Sequence, residues 1–214
     1  MKSAGMKYIC RNINNYTHMM KQLSFASACA IVLLCLTRCK QETTPKNAEP
    51  KPAATQADLV KHGEYIVNIA GCNDCHSPKI MTARGPEPDP ERLLSGHPAD
   101  EALPAITDKK MIAPGQWALF SPSLTAAVGP WGTTFAANLT PDDTGMANWT
   151  EAQFFKAMRE GKQKGMDGTR PLLPPMPWPN LAKMTDDDLR SVFAYLQSLK
   201  PVKNAVPNPI PPAM

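Results

Sequence analysis

The chain has 214 residues, 43% apolar and 20% charged, enough for one well-buried domain and short for two. Its formal charge of +4 arises in the leader: residues 1–38 hold Lys2, Lys7, Arg11, Lys21 and Arg38 and no acid, whereas residues 39–214 hold 18 basic and 19 acidic residues. That balance excludes nucleic acid as a partner, since phosphate neutralisation needs a basic excess; 23 prolines, all at or after Pro45, argue against a large continuous sheet and for a loop-rich domain.

In chain order, Met19-Met20-Lys21-Gln22 and the 14-residue apolar run from Leu23 to Leu36 form the n- and h-regions of a signal peptide. The run falls short of the ~20 residues a spanning helix needs. Leu36-Thr37-Arg38-Cys39 resembles a bacterial lipobox, in which the Cys becomes the lipidated first residue; Arg38 stands where such sequences usually carry a small residue. The expectation is a lipoprotein-type signal peptide over 1–38, lipidation at Cys39 and a polar, Pro- and Ala-rich tether over 39–57. Such a tether holds an exported domain against the periplasmic face of a bacterial membrane. An ordinary signal peptide cut elsewhere is the alternative. Beyond Cys39 only Cys72 and Cys75 remain, too few for a disulfide framework.

Thr55-Gln56-Ala57-Asp58 reads as a capping box, with Asp in place of the usual Glu or Gln. It opens a helix with Leu59, Gly63, Ile66, Ile69 and Ala70 at helical spacing. A Gly at position 63 costs that helix ~1 kcal/mol, which predicts that another element crosses it closely. Then comes Cys72-Asn73-Asp74-Cys75-His76, the C-x-x-C-H signature of covalent c-type haem. Two thiols on one turn reach neighbouring vinyl groups of a porphyrin, and the next residue, His76, is brought beneath the iron. A thioredoxin-like redox pair needs a βαβ pattern that the flanks lack. A zinc site needs two further paired ligands, and only His62, His97 and Cys39 are left. One motif implies one haem.

Residues 77–130 show little sustained period. A few helical turns are expected around Asp89–Leu94 and Asp100–Ala102, in an insertion that covers a haem edge, forms a partner dock or is simply surface. Thr150-Glu151-Ala152-Gln153 is a second box. It starts a helix bearing Phe154, Phe155, Ala157 and Met158 and ending near Gly161. Pro174-Pro175-Met176-Pro177-Trp178-Pro179 is a stiff segment with few N–H donors. Thr185-Asp186-Asp187-Asp188 caps the last helix, whose stripe is Leu189, Val192, Phe193, Leu196 and Leu199, with Pro201 beyond its end. The expected domain therefore spans 58–201, with a Pro-rich tail over 202–214.

This order resembles the class I cytochrome c fold: mainly α, few helices around one covalent haem, with long Pro-rich loops. More narrowly, the chain resembles the cytochrome c subunits of bacterial membrane alcohol and aldehyde dehydrogenases. The resemblance rests on Gly63 to Ile66, Gly132 to Asp142, Gly145 to Trp149, Phe154 to Gly161, Met176-Pro177-Trp178 and Asp187 to Leu199. Those relatives often carry several haem domains.

The resemblance implies a methionine as sixth ligand, a thioether favouring the ferrous state. Met176 is the first choice, in the stiff loop just before the last helix, and Met166 and then Met184 follow. Met81, Met111, Met146, Met158 and Met214 read as packing or surface; His62 or His97 is the bis-His alternative. It further implies a backbone carbonyl on the axial imidazole, best matched by Pro86, and a haem edge lined by Asn138 and Trp149. Trp178 packs on the porphyrin or bonds a propionate, and Arg84 and Arg170 are candidate propionate partners. The function implied is outer-sphere electron transfer, without catalysis, between a dehydrogenase and a terminal oxidase or other acceptor. The alternatives are a haem protein with a labile sixth ligand that acts on small molecules, and a dedicated subunit of one dehydrogenase complex.

Overall fold

A computed structural model describes residues 54–212. The stretch expected as a signal peptide, Cys39, most of the stretch expected as a tether, and Met214 lie outside the described residues. Helices α1 (Gln56–Ile69) and α5 (Asp186–Ser198) form the main packing pair. Thr55 is extended, its hydroxyl accepts from Asp58 N at 3.2 Å, and Thr55 N donates back to Asp58 Oδ2 at 3.0 Å. The box therefore closes with the shorter acid. α1 begins at Gln56, inside the stretch expected as tether.

Val67 and Ile66 face Leu189, Val192 and Leu196, joined in one core by Leu94, Met146 and Phe154. The helices cross at Gly63, where an added Cβ would lie 1.9 Å from the Ser191 carbonyl oxygen and 2.8 Å from Tyr195 Cβ. This is the close approach that a mid-helix glycine predicted. His62 Nε2 meets Asp188 Oδ1 at 2.9 Å and ties α1 to the first turn of α5. The box at Thr185 closes with Asp188.

Helix α3 (Glu151–Glu160) carries the expected Thr150–Gln153 box and ends at Gly161, left-handed at φ 64°. It buries Phe154 and Ala157 and sets Phe154 5.5 Å from Phe193, centroid to centroid. Between α1 and α3 come the one-turn α2 (Cys72–His76) and two small antiparallel sheets. β1 (Lys79–Thr82) pairs with β2 (Gly85–Pro88), Lys79 opposite Pro88. The second sheet orders β3 (Leu119–Phe120), β4 (Ala126–Gly129) and β5 (Gly132–Phe135). A short α4 (Trp178–Leu181) precedes α5. Helices outweigh strands, so the domain is mostly helical, and irregular backbone is abundant.

The insertion departs from expectation. Residues 89–94 and 99–100 form turns without helix, and four strands of two to four residues, β1 to β4, appear instead. Strands that short have no room to display alternation, and Pro86 and Pro88 are tolerated because β2 belongs to a two-stranded hairpin. The segment after α5 does not hang free. Thr133 and Ile210 exchange N–H···O bonds of 2.8 and 2.9 Å along β5, which covers that sheet edge. Gly132, at φ 98°, lets the tail in: an added Cβ would lie 2.1 Å from Ile210 O.

Candidate haem attachment site

Gly71, left-handed at φ 68°, ends the run of α1 and turns the chain into α2. Cys72 packs against the hydrophobic core, and both Cys72 and Cys75 are free, half-buried thiols. Burial pushes the Cys72 thiol up to about 11, helped by Asp74 and Cys75. Burial and then Asp74 raise Cys75 as well. Both sulfurs are therefore protonated at neutral pH, opposite to the lowered thiol of a redox-active pair. The turn is closed from below: Lys79 Nζ donates to the carbonyls of Ser77, Asp74 and Asn73 at 2.6, 2.9 and 3.2 Å. The fully buried Ser77 donates to Asn73 Oδ1 at 2.7 Å and accepts from Leu94 N at 2.8 Å.

His76 is held at both ends. Its Nδ1–H donates to Ala137 O at 2.8 Å, and its carbonyl accepts from Gly96 N at 2.7 Å. A carbonyl only accepts, so the proton sits on Nδ1 and the Nε2 lone pair is left for a ligand. Burial pulls the imidazole below its ordinary value, which keeps it neutral, the form that binds metal. Pro86 does not supply this carbonyl. It lies exposed in β2, opposite Met81, and the chain instead brings residue 137 across. Alanine offers no side-chain signal for this use, so sequence reasoning missed it, together with Gly96 and Lys79.

Met176 is half-buried, its N–H bonded to Leu173 O at 3.3 Å. The loop is anchored to β5 by Thr134 Oγ1, which donates to Pro174 O at 2.8 Å. β5 thus leads at one end into the segment that holds His76 and carries in Thr134 the anchor of the Met176 loop. The other methionines separate by burial. Met146 is in the core, Met158 and Met184 pack against it, and Met81 is 80% exposed. Met111 and Met166 are also exposed. Neither alternative histidine is free: His62 pairs with Asp188, and the buried His97 bonds Thr125 Oγ1 through Nδ1 at 2.8 Å.

Asn138 proves to be a buried staple. Its Oδ1 accepts from Thr140 N and Oγ1, and its Nδ2 donates to Val202 O at 2.8 Å. Trp149 packs against the helical core. Trp178 lays its indole over Gly161, where an added Cβ would lie 2.4 Å from the ring. Arg84 bonds Glu87 at 2.7 Å, and Arg170 donates to Pro171 O at 3.0 Å. Among the described residues no three His, Cys, Asp or Glu side chains converge as metal ligands. The donor set is two neutral thiols one turn apart and an oriented neutral imidazole directly after them, which fits a c-type haem.

No family model matches the chain. It is 30% identical over 146 residues to the cytochrome c subunit of a quinone alcohol dehydrogenase from Gluconobacter oxydans, covering 67% of this chain and 22% of that protein. It is 30% identical over 149 residues to the gluconate 2-dehydrogenase cytochrome c subunit of Pantoea cypripedii, 69% of this chain and 25% of that one. With the fructose dehydrogenase cytochrome subunit of Gluconobacter japonicus it shares 28% over 184 residues, 85% of this chain and 29% of the relative. The chain thus spans about a quarter of the length of these relatives. Together with the geometry around Cys72, Cys75 and His76, these likenesses show that the chain is homologous to the cytochrome c subunits of bacterial membrane dehydrogenases.

Proposed function

We propose that this protein is a mono-haem c-type cytochrome that carries electrons and performs no catalysis of its own. Cys72 and Cys75 would hold the haem covalently, and His76 and Met176 would ligate its iron. A haem bound there supplies a one-electron ferric–ferrous couple. The chain's own residues hold the donors still between the two states. Gly96 N and Ala137 O grip His76 from two segments, and the proline-rich loop around Met176 is tied to β5 through Thr134. Little reorganisation would then accompany each electron, and an iron ligated by both side chains would offer no site to substrate.

The observation that carries this reading is the neutral imidazole, its Nδ1–H committed to Ala137 O, one residue beyond two neutral thiols. A lipid on Cys39 and the following tether would keep the domain at the periplasmic face of the membrane, raising its local concentration near membrane partners. Among the described residues no helix is long and apolar enough to cross a membrane. The partners are a dehydrogenase as donor and a terminal oxidase or other acceptor. Exposed Met111, Trp117, Phe120 and Leu124 on the insertion are the kind of surface at which such a partner docks.

The test is a pyridine haemochrome spectrum and a potentiometric titration on protein matured with the haem-attachment machinery. One covalent haem that withstands acidified organic solvent is expected; colourless protein, or extractable pigment, refutes the reading. Co-purification with a dehydrogenase from detergent-solubilised membranes separates a dedicated subunit from a free shuttle.

A further inference from the structure

Two segments hold His76, one through Gly96 N and one through Ala137 O, and the chain after α5 is bonded to both. Asn204 Nδ2 donates to Ser95 O at 2.7 Å and His97 O at 2.8 Å, the carbonyls on either side of Gly96. Its Oδ1 accepts from Ala99 N at 3.0 Å. Gly96 is held there at φ 82°, so close to the other segment that an added Cβ would lie 2.6 Å from Ala136 O and from Ala137 C. On the far side, Asn204 N donates to Thr144 Oγ1 at 2.9 Å, and Val202 O accepts from Asn138 Nδ2 at 2.8 Å. Asn138 directly follows Ala137. The side chain of half-buried Asn204 thus grips the segment that bonds the His76 carbonyl, while its backbone reaches the residues after Ala137, its N–H through Thr144 and its carbonyl through Asn138 Nδ2 at 3.4 Å.

We propose that Asn204 is a positioning residue for His76, acting through Gly96 and Ala137 to keep the Nδ1–H···O=C bond short. This rests on the reading of His76 as an axial ligand. A hydrogen bond from Nδ1–H makes the imidazole a stronger donor to metal, and a stronger donor favours the ferric state. Loosening the latch lengthens that bond, weakens the donor and moves the reduction potential upward.

The experiment uses the full chain, matured with haem, as parent, Asn204→Ala and Thr144→Val. The valine variant is milder: it removes the hydroxyl that accepts from Asn204 N and leaves the charge unchanged. Asp188→Asn, which loosens α1 against α5 away from His76, calibrates plain destabilisation. The readouts are the potential, the hyperfine-shifted ring protons of the axial histidine in the ferric protein, and the melting temperature. The expected result is a raised potential with shifted histidine resonances in both latch variants, larger for Asn204→Ala, and neither change in Asp188→Asn. The proposal is overturned if the latch variants only melt earlier, with potential and histidine resonances as in the parent, or if Asp188→Asn moves the potential equally. A parent without covalent haem overturns the cytochrome reading itself, whereas a haem-bearing parent indifferent to residue 204 overturns only the positioning role.

Discussion

Replacing Gly63 by alanine sets two effects of opposite sign against each other. In an exposed helix interior the substitution stabilises by about 1 kcal/mol, because alanine loses less backbone entropy on folding. At the α1–α5 crossing the new methyl would sit 1.9 Å from the Ser191 carbonyl oxygen and 2.5 Å from its carbon. Backbone cannot swing aside as a flexible side chain can, so the helices must separate by roughly 1.5 Å to restore ordinary contact. A gap of that size forfeits half or more of the dispersion between facing side chains, here Val67 and Ile66 against Leu189 and Val192. Overpacking of this kind costs about 1–3 kcal/mol and more when backbone must move, so the net effect is a loss of about 2 kcal/mol. For a chain of this size that lowers the melting point by about 4–8 °C. Thermal unfolding followed by far-ultraviolet circular dichroism measures it. An alanine variant as stable as the parent, or more stable, would mean that α1 and α5 do not cross at Gly63.

Three further outcomes are expected. Asp188 accepts from His62 and from Thr185, and these bonds, His62 first, hold its carboxyl below the usual range. Its contribution to stability is therefore full above the unfolded value of about 3.9 and is lost as pH falls through the lower folded value. Melting curves between neutral and acid pH should fall less steeply for Asp188→Asn than for the parent, and equal slopes would refute the pairing. Met176→Ala should abolish the weak red charge-transfer band of a thioether-ligated ferric haem while Met166→Ala leaves it intact; the reverse pattern assigns the ligand to Met166. Cys75→Ala should leave a haem held by one thioether, read as a shifted haemochrome band, and the double variant with Cys72→Ala should release its haem to acidified solvent. Retention of haem by the double variant contradicts attachment at these two residues.

The residues themselves announced what acts over short range. The Thr55, Thr150 and Thr185 boxes close within three residues of each cap, and the attachment motif is five consecutive residues whose spacing is set by porphyrin geometry. Even the helix crossing was legible, since a glycine inside a regular apolar stripe needs a neighbour to explain it. What only the tertiary structure decided is which distant backbone meets those local pieces. Ala137, not Pro86, holds the imidazole 61 residues from it in sequence, Asn138 and Asn204 turn out to join the chain end to the site, and strands of two to four residues pair in the insertion. A backbone carbonyl carries no residue identity, and a short strand has no period, so neither leaves a mark on the sequence; both are chosen by the path of the chain in space.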